Sequence, residues 1–315
     1  LIRPDSAFVG RRSFAKLLTG VNLRTKRYSM RLRRNRLPFL CILLLPAGLS
    51  ACARIEQRAD EIRDRVTNPD RQQTDENNPN LVFGNPSGAT TDPGNSNNYL
   101  LIKRSSVISY NNERGTANWV AWRTTASDLG ESIPRPQFEP DQSLPFGFTP
   151  IKPTDYNGSG YDRGHMVPSA DRYGDPESHG ETFMMTNIVP QSADLNQYPW
   201  EKLESYSRGI VRRGSDVYTI AGVYGEQRRL RRRVTAPTNC WKIVVLLPRG
   251  GTVADLNDNT RVIAVDMPDV QGIGKDRWQK YRTSVRSIEE RTGYDFFSAL
   301  PRGLQDVLET RVDDK

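Results

Sequence analysis

The sequence is poor in cysteine and histidine, and this scarcity excludes several kinds of site. It has three cysteines and two histidines in 315 residues. Cys41 and Cys52 lie near the N-terminus, which leaves Cys240 as a single thiol that cannot form an internal disulfide in the rest of the chain. Two histidines without a cysteine pair also exclude an ordinary zinc site of nitrogen and sulfur ligands. A divalent metal would need oxygen ligands, which suits Mg²⁺.

Acidic residues are nearly absent from the N-terminal segment. Residues 1–51 contain 11 of the 45 Lys and Arg but one of the 37 Asp and Glu, so residues 52–315 carry 34 basic and 36 acidic side chains. The formal net charge of +8 therefore comes from the first 51 residues. Bulk basicity is not evidence for a nucleic-acid-binding surface on the remainder.

The one strongly apolar run is too short to be a permanent membrane span. From Met30 the chain reads "MRLRRNRLPFLCILLLPAGLSAC", a basic head, an apolar run and small residues before Cys52. A spanning helix needs about 20 apolar residues, so residues 30–51 are predicted to be a signal peptide. "LSAC" resembles the bacterial lipoprotein box, which predicts lipidation of Cys52; ordinary secretory cleavage is the alternative. We expect an exported protein, either anchored in a membrane and facing the periplasm or cell exterior, or secreted.

Composition divides the rest of the chain into three parts. Residues 1–29 precede Met30 and are expected to be an upstream extension of the true start. Residues 52–80 include "TNPDRQQTDENNPN", which offers little to bury and predicts a flexible tether. Residues 81–315 show no repeat or low-complexity break and are predicted to form one domain.

Strand and helix patterns in that domain predict an α+β fold with a largely antiparallel central sheet flanked by helices. Predicted strands are "NYLLIKRSSVISYN", "NWVAWRTT", "SDVYTIAGVYG", "CWKIVVLLPRG" and "NTRVIAVDMP". Predicted helices are "YPWEKLESYSRGIVRR", "DRWQKYRTSVRSIEERTG" ending at Gly293, and "RGLQDVLETRV". Cys240 lies in a strand and is expected to be a core residue, with a catalytic thiol as the alternative.

Three blocks carry a resemblance to a known family. "YDRGHM" contains His165, and "TFMMTNIVPQSADLNQYPWEKLE" and "RTGYDFFSALP" follow it. In this order and spacing they resemble the DNA/RNA non-specific endonucleases, a branch of the ββα-metal nucleases, and exported bacterial members, cyanobacterial ones among them, are most similar. The resemblance covers the chain from about Asn85 to its end. It implies a ββα-metal active-site motif, hydrolysis of DNA and RNA to 5′-phosphates, and Mg²⁺, for which Mn²⁺ is a substitute.

The resemblance also implies roles for a histidine, an amide and a carboxylate. His165 would be the general base, Asn196 the direct metal ligand, and Glu204 a catalytic residue that holds the ion through water. Histidine suits a base because its ordinary pKa is near 6.5. The residues alone leave other interpretations open: a structural histidine, and an i,i+4 pair of Glu204 and Arg208 on a surface helix. Eight residues separate Asn196 and Glu204, about 80° around an α-helix.

Three arginines and one further asparagine are placed at the active site by the same resemblance. Arg135 would stabilise charge in the transition state, Arg163 would support catalysis, and Arg208 would lie near the phosphate. Asn187 is expected beside the site, with a structural role as the alternative. The second histidine, His179, is expected in an exposed polar loop.

A water nucleophile requires no 2′-hydroxyl, so DNA and RNA are both suitable substrates. The segment "EQRRLRRRVTAP" provides basic side chains that are predicted to bind phosphate, although a solvated loop is the alternative. They are Arg228, Arg229, Arg231, Arg232 and Arg233. Some members of the family are restrained by a dedicated inhibitor protein, which adds a candidate partner to nucleic acid and membrane.

Two other functions are compatible with the sequence. One is a surface lipoprotein that binds nucleic acid without cleaving it, and the other is a phosphodiesterase for small nucleotides. Pure binding needs arginines rather than a base and a metal ligand, so the combination of His165, Asn196 and Glu204 favours an enzyme.

Overall fold

A seven-stranded antiparallel sheet forms the centre of the part of the chain that the structure describes. The computed structural model describes residues 78–315; the predictions for residues 1–29, for the signal peptide, for Cys52 and for most of the tether lie outside the described residues. The strands are β1 Tyr99–Ile102, β2 Val107–Asn111, β3 Thr116–Thr124, β4 Asp162–His165, β5 Ile188–Gln191, β6 Ser215–Tyr224, β7 Arg228–Leu230, β8 Val234–Ala236, β9 Asn239–Pro248, β10 Val262–Pro268 and β11 Arg282–Thr283.

The order of strands in the large sheet is β1-β2-β3-β6-β9-β10-β11. Every neighbouring pair in it is antiparallel. Two further antiparallel pairs, β4 with β5 and β7 with β8, form separate two-stranded sheets. The prediction of an α+β fold built on an antiparallel sheet is confirmed.

Within residues 78–315 the helices are fewer than the strands, and the longest of them, Glu201–Arg212, has 12 residues. They are α1 Pro176–Glu181, α2 Ala193–Leu195, a π-helical segment Asn196–Trp200, α3 Glu201–Arg212, α4 Val285–Thr292 and α5 Arg302–Thr310. Short 3₁₀ turns are Pro153–Tyr156, Ser169–Asp171, Met185–Asn187, Val253–Asp255 and Trp278–Tyr281. None of the helices within residues 78–315 has the length and apolar character that crossing a membrane requires.

Both faces of the sheet are covered, so its central strands are buried along most of their length. Alternate residues of a strand point to opposite faces. Trp122 and Val244 accordingly pack in one core with Leu203 of α3, whereas Trp241 packs in a second core with Ile288 of α4. A third, smaller cluster joins β5 to the β7–β8 hairpin. This cluster places the basic segment next to the strand pair that carries His165.

The ββα motif is present in chain order. β4 pairs with β5 so that Gly164 lies opposite Val189 and His165 opposite Ile188. One residue after β5 the helical run α2, π segment and α3 begins, with the side chain of Ser192 accepting from the backbone N–H of Leu195. The first strand therefore carries His165, and the helical run carries Asn196 and Glu204.

The π segment changes how Asn196 and Glu204 are aligned. Pro199 lies inside it and has no N–H to donate to the turn before. The wider i→i+5 turn rotates each residue by less than the 100° of an α-helix. We therefore expect an angular offset between Asn196 and Glu204 smaller than the roughly 80° of eight α-helical residues.

The predicted helix over residues 276–293 was wrong in its first half. Trp278–Tyr281 is a 3₁₀ turn, β11 adds an edge strand to β10, and only Val285–Thr292 is helical. Trp278 is buried in the core below α3, and the side chain of Ser284 caps α4 by accepting from Ser287 N–H. Burial of the tryptophan and this cap delay the start of the helix.

Gly293 ends α4 as expected, and its left-handed backbone conformation can be tested by substitution. It has φ of 72° and donates its N–H to Glu289 O, and a Cβ built on it would meet nothing within 4 Å. Gly293→Ala should therefore cost only the left-handed backbone strain, about 1 kcal/mol of unfolding free energy in urea. Gly303→Ala in α5 is the matched control, also in open space but without a positive φ, and should be neutral or stabilising. Equal losses for both variants would contradict this explanation.

Candidate active site

The ring of His165 lies in an aromatic cage. Its centroid is 5.4 Å from that of Phe138 and 5.0 Å from that of Phe183, the latter edge-on. Its Nε2 is buried and has no hydrogen-bond partner among the described residues. Burial, the charge of Arg135 and the nearby His179 lower the pKa of His165 from 6.5 to about 3. The imidazole is thus neutral at neutral pH and able to accept a proton.

Two of the predicted arginines flank this cage. The guanidinium carbon of Arg163 lies 4.8 Å from the centre of the Phe138 ring, and that of Arg135 lies 5.4 Å from the centre of the Phe183 ring. Both side chains are exposed. The structure therefore brings Arg135 and Arg163 to the two rings that contact His165, and each presents a solvated guanidinium there.

Close packing behind the strand of His165 explains the glycine in "DRGH". A Cβ at Gly164 would collide with the side chain of Gln191 on β5. Gln191 is fully buried and its Nε2 donates to Cys240 Sγ at 3.5 Å. Only a residue without a side chain allows β4 to lie this close to Gln191. The glycine therefore fixes the distance between the strand of His165 and the buried Gln191.

Asn187 fastens the backbone that follows His165. Its Oδ1 accepts from Val167 N–H at 2.9 Å, and its Nδ2 donates to Val167 O at 3.0 Å and to Thr182 O at 2.9 Å. It is 2% exposed. Both ends of the amide bind backbone, so Asn187 holds the chain next to His165 in position. This agrees with the structural role that the sequence left open as the alternative.

Asn196 is tied to the strand that carries His165. Its Nδ2 donates to Asp162 Oδ2 at 2.9 Å, and Gln197 Nε2 donates to the same oxygen at 2.8 Å. Asn196 Oδ1 accepts no hydrogen bond from the described residues, and the side chain is only partly buried. An amide whose nitrogen is used in this way keeps its oxygen available as a ligand for a hard cation.

Residues 78–315 contain no group of three or more His, Cys, Asp or Glu side chains that could hold a metal. The donor set consequently does not fit an ion enclosed by protein ligands. It does fit an ion such as Mg²⁺ that keeps most of its waters and takes one or two protein oxygens. Asn196 Oδ1 is the available ligand, and Glu204 is a carboxylate eight residues further along the same helical run.

Glu204 is only slightly exposed and forms an ion pair. Lys242 Nζ, from the centre of β9, donates to Glu204 Oε1 at 3.1 Å. Burial raises the pKa of the Glu204 carboxyl, and the charge of Lys242 opposes that rise. Glu204 Oε2 has no hydrogen bond from the described residues. The lysine was not identified from the sequence, although a charged residue inside the apolar run "CWKIVVLL" is a signal that could have found it.

Arg208 is buried one turn further along α3. Its Nη1 donates to Asp171 Oδ1 at 3.1 Å and its Nη2 to Ser205 Oγ at 2.9 Å. Asp171 also accepts from Trp122 Nε1 at 3.1 Å. Glu204 and Arg208 are therefore not a surface i,i+4 pair: each has its own partner on the sheet side of the helix.

The predicted substrate-binding arginines lie on the β7–β8 hairpin, and all five are exposed. Arg228 lies 5.2 Å from the Tyr161 ring, Arg229 is 3.5 Å from Glu113, and Arg231 donates to Asn157 O at 3.3 Å. Arg233 approaches Asp155 at 3.9 Å. Arg232 has no ion pair or hydrogen bond with a described residue. Arg231 and Arg232 form the tip, with φ of 44° and 59°.

The prediction for His179 was wrong. It lies in α1, is 2% exposed, and its ring centroid is 5.2 Å from that of Phe183. Its Nε2 is buried without a partner among the described residues. Phe183 therefore lies between the two histidines. The surrounding letters "GDPESHGETF" are polar, and nothing in their pattern indicates that the histidine faces inward.

Cys240 is a buried free thiol, which agrees with the core interpretation. Burial raises the pKa of the thiol far above its ordinary value, so it stays protonated and is unsuited to nucleophilic attack.

Comparison with known proteins gives the family of this fold and site. The family model of the DNA/RNA non-specific endonucleases matches residues 84–303. A nuclease of Nostoc sp. is 44% identical over 236 residues, covering 74% of this chain and 86% of the relative. Nuclease C1 of Cunninghamella echinulata is 30% identical over 66% of this chain and 86% of its own length. A nuclease of Serratia marcescens is 28% identical over 69% and 82%.

Among solved structures, EndoG in complex with EndoGI has a similar fold. The TM-score is 0.59 at 23% identity, and the match covers 71% of this chain and 91% of that one. At this identity the likeness concerns the fold alone.

The depressed pKa of His165 predicts a specific dependence of stability on pH. With a folded-state pKa of about 3 and an ordinary value of 6.5, the unfolded chain binds more protons between these limits. The stabilisation is present above pH 6.5 and is lost as pH falls towards 3. At about pH 4.5 the loss should be on the order of 2–3 kcal/mol relative to about pH 7.

Urea unfolding of the wild type and of His165→Gln at both pH values measures this effect. The variant lacks the titrating ring. Its free energy of unfolding minus that of the wild type should therefore be larger at the lower pH by that amount. A difference between the two proteins that stays the same at both pH values would contradict a buried neutral imidazole.

Proposed function

Because the chain belongs to the DNA/RNA non-specific endonuclease family and is therefore a nuclease, we propose that it is a Mg²⁺-dependent endonuclease that hydrolyses phosphodiester bonds of DNA and RNA and leaves 5′-phosphates. The observation that carries the proposal is the bond from Asn196 Nδ2 to Asp162 Oδ2. It joins the candidate metal ligand to the strand of His165 and leaves the amide oxygen free.

His165 is the proposed general base. It is neutral, so it can take a proton from a water molecule that attacks phosphorus. A pKa of about 3 would make it a weak base. Arg135 contributes to that low value, and an anionic phosphate bound beside Arg135 would offset the repulsion. The pKa of His165 would then rise towards the working pH when substrate is bound.

Asn196 would hold the ion through Oδ1, and Glu204 would orient the ion's water shell through Oε2. A bound Mg²⁺, or Mn²⁺ in its place, would neutralise charge on the phosphate and stabilise the leaving 3′-oxygen. Asp162 keeps Asn196 in the required orientation, and Asn187 and Gly164 fix the strand of His165.

The exposed arginines are proposed to bind the substrate. Arg135 and Arg163 present guanidinium groups at the aromatic cage of His165, where they would stabilise charge on the phosphate. Arg208 differs from them because it is buried and paired with Asp171, so its proposed effect on the phosphate would act at longer range than a direct contact. The tip of the β7–β8 hairpin would contact phosphates farther along the strand, because the hairpin packs against β5 next to the site.

Export, anchoring and inhibition extend the proposal beyond the domain. We propose that residues 30–51 direct export and that Cys52 carries a lipid anchor, for which the support is the sequence pattern alone; mass spectrometry of the mature N-terminus distinguishes this from secretory cleavage. An inhibitor protein is a proposed partner. EndoG was solved with EndoGI, and that complex concerns EndoG.

Purified protein should degrade supercoiled plasmid and RNA in Mg²⁺ and lose activity in EDTA. His165→Ala should lower kcat by about 10²–10⁴-fold, the usual contribution of a general base. His179→Phe is the matched control: it preserves the aromatic packing against Phe183 and is expected to leave kcat near that of the wild type. Products should be labelled by polynucleotide kinase only after phosphatase treatment, as 5′-phosphates require.

The same assay distinguishes the alternatives. Tight binding without cleavage would indicate a nucleic-acid-binding lipoprotein, and preferential turnover of a dinucleotide would indicate a small-nucleotide phosphodiesterase. Full activity of His165→Ala would contradict the proposed base.

Arg232 should contribute to binding through phosphate charge rather than through sequence. In the inactive His165→Ala background, Arg232→Gln should reduce the slope of log Kd against log salt by about 0.9 for a B-DNA duplex, the value for one phosphate contact. Arg302→Gln is the control, since Arg302 is an exposed arginine at the start of α5. Identical slopes for Arg232→Gln and the parent would show that the hairpin tip is only solvated.

A further inference from the structure

Lys242 is a buried cation in the middle of the central sheet. It lies on β9 opposite Ala221 of β6 and Val265 of β10, and it is 2% exposed. The neighbouring residues of this strand are apolar. An ammonium group is costly to bury unless it is paired, so the identity of its partners indicates why a lysine occupies this position.

The partners of Lys242 all belong to one face of the sheet. Its Nζ donates to Glu204 Oε1 at 3.1 Å and lies 3.9 Å from the centre of the Trp200 ring and 6.0 Å from that of Trp122. Among the described residues, Glu204 is the one carboxylate within ion-pair distance of it. The tryptophan rings and the strand leave the ammonium group little freedom to move.

This arrangement fixes the side chain of Glu204. A glutamate on a helix can occupy several rotamers, and confining it requires a specific contact. The bond to Lys242 uses Oε1 and leaves Oε2 without a hydrogen bond from the described residues. Trp200 is the last residue of the π segment that begins at Asn196. Lys242 therefore contacts both the segment that carries the candidate metal ligand and the carboxylate proposed above to orient the ion's waters.

We propose that Lys242 is a positioning residue of the nuclease site: it holds Glu204 by one carboxylate oxygen so that the other faces the water shell of the metal ion. The inference rests on the role proposed above for Glu204. The competing explanation is an ion pair that only stabilises the fold. Arg123 and Asp216, 2.7 Å apart and reaching the opposite face of the same sheet, are a pair of that kind.

The test combines a metal-binding measurement with a double-mutant cycle. Lys242→Met, Glu204→Gln and the double variant are compared with the wild type for kcat on duplex DNA and for Mn²⁺ affinity measured by electron paramagnetic resonance without substrate. Each value is referred to the folded fraction from urea unfolding. Lys242→Met should lower kcat and Mn²⁺ affinity by about 10- to 100-fold, as loss of a partner of a metal-site residue does.

The double variant should be no worse than Glu204→Gln, because Lys242 acts through that carboxylate. Arg123→Met is the matched control: it breaks an ion pair on the other face and should reduce stability without changing Mn²⁺ affinity. If Lys242→Met does not fold, Lys242→Arg keeps the charge but moves the donors, and it should show a smaller loss of Mn²⁺ affinity in a folded protein.

Two results would overturn the inference in distinguishable ways. Wild-type kcat and Mn²⁺ affinity in folded Lys242 variants, with Glu204→Gln impaired, would make the lysine purely structural. Wild-type behaviour of Glu204→Gln itself would instead remove the proposed role of the glutamate, and the positioning role of Lys242 would fall with it.

Discussion

The hydrogen bonds that Asp162 accepts from Asn196 and Gln197 are the constraint on which the site depends. The aspartate lies at the start of the strand that ends in His165, and the asparagine lies 34 residues later, at the start of the π segment. One carboxylate oxygen thus connects the strand of the proposed base, His165, to the segment of the candidate metal ligand, Asn196. The proposed hydrolysis requires both residues at the same phosphate. It also decides which end of the Asn196 amide is available, because the nitrogen is used and the oxygen is not.

Two buried ion pairs also hold the helical run in place. Lys242 with Glu204, and Arg208 with Asp171, lie between α3 and one face of the sheet. Pairs of this kind add little net stability compared with apolar packing, and breaking one is costly. Their value here is geometric: they restrict the helical run to one position over the sheet, so that the residues it carries stay in register with the β4–β5 strand pair.

Much of the fold follows from patterns that act locally or repeat. Apolar strands bounded by turn residues predicted the antiparallel sheet, and the family blocks predicted the ββα order around His165. The remainder depends on tertiary contacts. Burial of Trp278 shortens a helix whose periodicity extended further, and packing against Phe183 draws His179 inward from a polar segment. The role of Lys242 could not be predicted because its partner, Glu204, is distant in the sequence and contacts it only in the folded protein.

The central claim is that a divalent ion binds between Asn196 and Glu204 beside the His165 strand. A crystal structure of the protein with Mn²⁺, with the ion located by its anomalous scattering, tests this most directly. The account predicts one strong peak in direct contact with Asn196 Oδ1 and within one water molecule of Glu204 Oε2, with the Asp162 bond to Asn196 intact. An ion bound elsewhere, or an Asn196 amide turned with its nitrogen towards the ion, would contradict it.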